Sequence, residues 1–356
     1  MSEPLVIQSH RGPYSVDFAA SLLADPSALL EGEPHFLVDA NVARLHAAAL
    51  RPVLAHPRTI PIEATEANKS LDRIIPVIER LVQNKARRGH VLVAVGGGIV
   101  QDITCFIAST LLRGLPWRFA PTTLLAQADS CIGSKSSINL GAAKNILGTF
   151  NPPQKIFIDA GFLATLEPKD LCSGVGEILK VHAIDGARSF DRLAADYDRL
   201  FSDRAILAQY IRSALLIKQR YIEKDEFDRG IRNIFNYGHS FGHAIESATD
   251  YAVPHGIAVT IGMDMANDVA AQRGLLPAEH AQRMRPALRK NYAAYAATPI
   301  PLDPMLSALL KDKKNTSTML GLIFPVGEKA DIQRVSVPPD DAFRGQCERF
   351  LTGLRS

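Results

Sequence analysis

The chain has 356 residues, 47% of them hydrophobic and 22% charged, enough for one large or two ordinary globular domains. A formal charge of +3 with scattered basic residues, broken only by short clusters such as KARR (85–88) and KDKK (311–314), argues against a nucleic-acid partner. Cys105, Cys131, Cys172 and Cys347 form no C-x-x-C pair, the opening MSEPLVIQSHRGPYSVDF lacks the apolar run of a signal peptide, and no stretch reaches about eighteen uninterrupted apolar residues, so we expect a cytoplasmic protein with free thiols and no membrane partner.

Short apolar runs alternate with helical patterns through the first part of the chain. HFLVDA (35–40), HVLVAV (90–95), WRFAP (117–121) and KIFIDA (155–160) read as strands, and SLDRIIPVIERLVQNK (70–85) reads as a helix. Strands bounded by glycine or proline and separated by helices predict an α/β domain with a parallel sheet. Beyond residue 165 long helical stretches take over, among them 204–225, the segment around NYGHSFGHAIE (236–246), and 256–274. The expected organisation is a nucleotide-type α/β domain at 1–165 followed by a mostly α-helical domain at 166–356, with no internal repeat.

The run HVLVAVGGGIVQDITCFIAS is a buried strand, three glycines and a helix. Gly96, Gly97 and Gly98 let the backbone turn tightly and approach a ligand, and the following helix offers free N–H groups to a phosphate. A dinucleotide pyrophosphate suits such a turn, although a ligand-free strand-to-helix turn gives the same sequence and the spacing is not G-x-G-x-x-G. Downstream, residues 121–150 set Asp129, Lys135, Lys144 and Asn145 among small and apolar neighbours. Lysines buried there need a partner, which a phosphorylated substrate would supply; lysines reaching solvent from a loop need none.

On a helix, positions 239, 243 and 246 share one face, so spacing alone suggests a metal site made of His239, His243 and Glu246. His255 in VPHG, and Glu177 and Lys180 in SGVGEILK, widen the choice of polar groups. Local spacing does not select three ligands.

Taken together, GGGIVQD, LLRG, PTTLLAQADS, GSKSSIN, KNILGTF, SGVGEILK, IRNIFNYGHSFGHAIE, PHG and KDKK occur in the order and spacing of 3-dehydroquinate synthase and its relatives, the sugar phosphate cyclases, which the chain resembles from about residue 35 to 330. The resemblance implies an α/β NAD-binding domain with a parallel sheet, followed by a mostly α-helical metal-binding domain. It implies that Glu177, His239 and His255 hold Zn2+, with Co2+ as the alternative ion, and leaves Glu246 to a supporting role. It assigns Asp39, Asn41, Glu66, Lys69, Thr122, Thr123, Asp102 and the glycine turn to NAD. It assigns Lys135, Asn145, Asn236, His243 and Lys313 or Lys314 to the substrate phosphate, Lys218 and Arg232 to a carboxylate, and Asp129, Lys144 and Lys180 to hydroxyl groups. Arg113 matches an arginine offered across a homodimer interface.

The implied activity is conversion of 3-deoxy-D-arabino-heptulosonate 7-phosphate to 3-dehydroquinate with loss of phosphate, a carbon–oxygen lyase reaction of the shikimate pathway and aromatic amino acid biosynthesis. Lys218 and Arg232 are the best sequence indication of an acidic substrate, because a carboxylate takes arginine's fork in a bidentate way. The chain departs from the family pattern at Gln101 and Ser134, where glycine is expected, at Ile257, where glutamate is expected, and in NLGAAKN, which lacks a histidine-proline step. These departures keep open a cyclase acting on sedoheptulose 7-phosphate or an amino analogue in secondary metabolism. A metal-dependent NAD-linked alcohol dehydrogenase, which would release NADH, and an inactive regulatory protein stand behind it.

Overall fold

Strands covered on both faces must be apolar along their length, and β3 (Pro34–Asp39) and β5 (Val91–Gly96) are buried almost throughout. They lie in the middle of a seven-stranded sheet with β1 (Leu5–Ile7), β2 (Tyr14–Asp17), β4 (Thr59–Ile62), β6 (Trp117–Pro121) and β9 (Lys155–Phe157). The order is β1-β2-β9-β6-β5-β3-β4, parallel throughout except for the antiparallel edge pair β1–β2. The structure, a computed structural model, describes residues 3–18, 21–141, 143–312, 315–316 and 318–354, so Lys313 and Lys314 lie outside the described residues. Its contacts group Met1–Glu167 with Gln219–Phe227 in one unit, and Pro168–Lys218 with Asp228–Ser356 in a second.

In the first unit, Phe36, Val38, Val93, Val95, Phe157 and Phe162 form part of a fully buried cluster along the sheet. An antiparallel hairpin, β7 (Lys135–Leu140) with β8 (Ala143–Phe150), forms the second half of the 121–150 segment. Its turn needs a left-handed backbone, which Gly141 supplies at φ 56°. The sequence reading draws one boundary near residue 165. In the structure residues 219–227 return to the first unit, where the Gln219 amide donates to the Val6 carbonyl at 2.8 Å and Glu223 and Glu226 accept from the backbone N–H of Gln8 and His10 at 3.0 and 2.8 Å.

The second unit is mostly helical, with a buried-edge hairpin of β10 (Leu320–Val326) and β11 (Asp331–Val337). Its central helix, His255–Gln272, is apolar nearly all round and buried from Gly256 to Asn267. The helix Pro168–Ile184 is likewise buried from Ser173 to Ile184. They touch through backbone: a Cβ on Gly176 would sit 2.1 Å from the Gly256 carbonyl oxygen, and one on Gly256 only 1.9 Å from the Ser173 oxygen. The third member, His239–Ala248, starts from Gly238 at φ 76°, whose carbonyl oxygen lies 2.2 Å from a Cβ placed on Gly262. No helix of the described residues is long and apolar enough to cross a membrane.

Gly256→Ala forces a backbone displacement at this contact and is expected to cost about 3 kcal/mol of stability. Gly89→Ala, with nothing within 4 Å of its new Cβ, should change stability by no more than about 0.5 kcal/mol. Urea midpoints of the two variants check the contrast; equal midpoints would remove the close-contact argument.

Candidate active site

The glycine turn divides into two kinds of position. A Cβ on Gly96 would lie 2.7 Å from Val100 Cγ2, and one on Gly97 2.9 Å from Thr123 Cγ2, so packing alone demands glycine at both. Gly98 is different, because its nearest neighbour would be Ser130 Oγ at 3.9 Å. It opens the helix Gly98–Thr110, whose first N–H groups have no partner within the helix. Such a cradle fits a phosphate group. Thr122 is buried and its N–H donates to the Gly96 carbonyl at 2.9 Å, while Thr123 Oγ1 accepts from the Ala126 N–H at 3.2 Å. Asp39 ends β3 and caps the short helix that follows, accepting from the N–H of Asn41 at 2.8 Å; Asn41 itself is exposed.

One turn into the glycine-turn helix, Asp102 anchors a polar network. Its two oxygens accept from Lys69 Nζ at 3.2 Å and from the Ser137 N–H at 3.1 Å. Lys69 also donates to Asn145 Oδ1 at 2.9 Å, as does Ser137 Oγ at 3.0 Å. Asn139 closes the set, donating to Glu66 Oε1 at 2.9 Å and accepting from the Asn145 N–H at 2.8 Å. Burial raises the Asp102 carboxyl above the ordinary carboxylate range, and the Lys69 ammonium opposes it. The structure thus joins Glu66, Lys69 and Asp102, expected at the nucleotide, with Asn145, expected at the phosphate. Ser137 and Asn139 are missing from the sequence reading, although KSSIN puts Lys135, Ser137 and Asn139 two apart on one strand face.

Lys135 and Lys144 are exposed on the hairpin. Asp129 lies half-buried on a π turn, Ala126–Ser130. Arg113 is exposed on the turn Leu111–Arg113, where both Leu112 and Arg113 have positive φ.

In the second unit the three close-packed helices bring four polar side chains together. One ring nitrogen each from His239, His243 and His255 lie within 4.8 Å of one another. Glu177 Oε1 is 3.6 Å from His239 Nε2 and 3.3 Å from His255 Nε2, and Glu177 Oε2 is 2.5 Å from Lys180 Nζ. His255 turns its other nitrogen to Glu246 Oε2 at 3.1 Å. Helix spacing groups Glu246 with His239 and His243; in the structure it meets His255, nine residues on. Burial, helped by the charges of Lys180 and the neighbouring rings, drives His239 well below the usual imidazole range. Burial also opposes the charge on His255, but hydrogen bonds and charges from Glu177 and Glu246 outweigh it and lift the ring to about 10. Imidazole nitrogens with a carboxylate oxygen are a zinc-type donor set, and the residues fit such an ion. Lys218 and Arg232 are each 8% exposed in the same unit, and Asn236 Nδ2 donates to the Asn233 carbonyl at 3.1 Å. Ile257, where a carboxylate is expected, is a core residue at 1% exposure.

Comparison with known proteins matches residues 59–173 to the 3-dehydroquinate synthase N-terminal model and 174–315 to the C-terminal model. The 3-dehydroquinate synthase of Sulfurovum sp. is 33% identical over 88% of this chain and 89% of its own, and that of Alkaliphilus metalliredigens 30% identical over 95% and 97%. Among solved structures, 2-epi-5-epi-valiolone synthase from Streptomyces hygroscopicus, with NAD+ and Zn2+ bound, superposes with a TM-score of 0.83 at 29% identity, covering 96% of each chain. A probable glycerol dehydrogenase from Sinorhizobium meliloti shares the fold at a TM-score of 0.64 and 13% identity, over 96% of this chain and 97% of its own. Fold and site therefore define a sugar phosphate cyclase, an enzyme of the phosphate-eliminating carbon–oxygen lyase type. Within that class the chain belongs to the 3-dehydroquinate synthase family.

Lys69→Met should lower stability by about 2 kcal/mol, the cost of stripping a largely buried carboxylate of its cation, reduced for the partial exposure of Asp102. Adding Asp102→Asn should recover most of that loss. Denaturant midpoints of the two single variants and the double variant decide, and strict additivity would contradict the pairing.

Proposed function

We propose that the protein converts 3-deoxy-D-arabino-heptulosonate 7-phosphate to 3-dehydroquinate, releasing phosphate. The observation that carries this reading is the retention of Lys218 and Arg232 as largely buried cations in the helical unit. A lysine together with an arginine, whose planar fork binds a carboxylate in a bidentate way, suits an acidic substrate.

Glu177, His239 and His255 hold Zn2+ in this reading, and the glycine turn with Asp39, Asn41, Glu66, Lys69, Asp102, Thr122 and Thr123 holds NAD. Bound NAD would supply a hydride acceptor that oxidises a substrate hydroxyl and later returns the hydride, and a bound metal ion would supply Lewis-acid polarisation of a hydroxyl oxygen. Lys180, ion-paired to Glu177, offers its remaining protons to a substrate hydroxyl. Asn236 and His243, with Lys313 or Lys314, bind the phosphate. A phosphate oxygen so held takes the proton from the neighbouring carbon as the group leaves, so no separate side-chain base is needed there. Within the α/β unit, Asp129 and Lys144 are groups suited to substrate hydroxyls, and Lys135 and Asn145 are groups suited to an anion. Exposed Arg113, on its positive-φ turn, is offered to a second copy of the chain in a homodimer. The protein works in the cytoplasm on the shikimate route to aromatic amino acids.

A second reading is supported by the 29% identity to 2-epi-5-epi-valiolone synthase: a cyclase acting on sedoheptulose 7-phosphate, which lacks the carboxylate.

Glu177→Ala is expected to abolish metal binding, whereas Glu246→Ala keeps the ion and weakens its affinity about 10–100-fold through loss of the His255 partner. Elemental analysis after dialysis separates the two, and equal metal content refutes the ligand assignment. Arg232→Ala should cut kcat/KM for the carboxylated substrate about a hundredfold. Heptulosonate phosphate and sedoheptulose phosphate assayed in parallel for released phosphate and carbocyclic product decide between the readings. Net accumulation of NADH would overturn both in favour of a dehydrogenase.

A further inference from the structure

We propose that Gln101 is a positioning residue that fixes Asp129 relative to the helix Gly98–Thr110, acting through a closed pair of hydrogen bonds to Ser130; its effect on turnover rests on the reading that Asp129 meets substrate hydroxyls. Gln101 is 6% exposed. Its Nε2 donates to the Ser130 carbonyl at 2.6 Å, and Ser130 Oγ donates back to its Oε1 at 2.7 Å. Both ends of one side-chain amide are thereby committed to one residue, which makes a short tie with defined direction at both ends.

The two things tied are unequal in rigidity. On one side stands the first turn of a regular helix, one residue before Asp102. On the other stands the end of the π turn Ala126–Ser130, one residue after Asp129, marked by the Cys131 N–H donating five residues back to the Ala126 carbonyl at 3.0 Å. A π turn carries one residue more than an α turn and survives only where its surroundings hold it. Its entry is held by Thr123, which accepts from the Ala126 N–H, and by the Gln127 amide, which donates to the Pro121 and Asp159 carbonyls at 2.9 Å each. Gln101 holds its exit. Without that tie the turn can tighten to α geometry, and absorbing one residue rotates the downstream backbone by about 100°. Asp129 would then point elsewhere. The same tie sets Ser130 Oγ as the wall nearest to Gly98.

The test uses the full chain with Gln101→Met, which keeps length and loses the amide, Gln101→Ala, Ser130→Ala and the double Gln101→Met/Ser130→Ala. Hydrogen exchange of the 126–131 amides should quicken at least tenfold in both Gln101 variants, with amides 103–110 unchanged. Turnover by both variants should fall ten- to hundredfold, with KM and the NAD dissociation constant within threefold of wild type. The double variant should lose no more than the worse single one. Wild-type exchange and turnover in Gln101→Met would show that bulk alone is needed and would overturn the proposal, as would losses that multiply in the double variant or a fall in NAD affinity matching the fall in kcat. If neither sugar phosphate is turned over by the wild type, the functional reading fails, and the exchange rates still decide whether the tie exists.

Discussion

Backbone meets backbone at the heart of the helical unit, and the site depends on it. Helices with ordinary side chains between them keep their axes about 8–10 Å apart. Here Gly176 faces the Gly256 carbonyl, Gly256 faces the Ser173 carbonyl, and Gly238 and Gly262 meet across the next pair. Ser173 fastens the first contact further by accepting the Gly256 N–H on its hydroxyl at 2.9 Å. The polar groups of the cluster sit beside these contacts in sequence: Glu177 follows Gly176, His239 follows Gly238, His243 follows Gly242 and His255 precedes Gly256. Their separations are therefore set by main chain that cannot be compressed, not by the rotamers of long side chains. A site placed in this way holds its geometry at little entropic cost.

Charge then divides the cluster. Glu177 is shared among Lys180, His239 and His255, yet the two histidines move in opposite directions. His255 has carboxylates against both of its nitrogens, which favour its charged form, while burial, a buried ammonium and two other rings disfavour that form at His239. A divalent cation takes neutral imidazoles, so binding one would displace the proton that the two carboxylates favour on His255.

The first unit was legible where burial imposes an apolar run. The strands at 34–39, 91–96 and 117–121 and the helix at 71–83 fall on the segments read from the sequence, because each hides a continuous face or stripe. The hairpin at 135–150 was not legible, since β8 is largely exposed and a strand with no buried face leaves no period-two hydrophobic pattern. Nor was the return of residues 219–227 to the first unit, because the helix Arg204–Ile222 runs past that point with no glycine or proline to mark it. Spacing found His239 and His243 on one helix face and credited Glu246 as their companion; Glu177 and His255 are reached only through contacts distant in sequence, which no local pattern encodes. The family resemblance named them because its motifs carry that tertiary information.

The departures from the family pattern meet three different surroundings. Gln101 builds a tie to Ser130, whereas Ser134 is buried at 1% exposure with its hydroxyl lacking a hydrogen-bond partner. Ile257 gives up a carboxylate for a core contact while Glu246 supplies one to His255. Lys218 and Arg232 stay largely buried in the same unit, each 8% exposed.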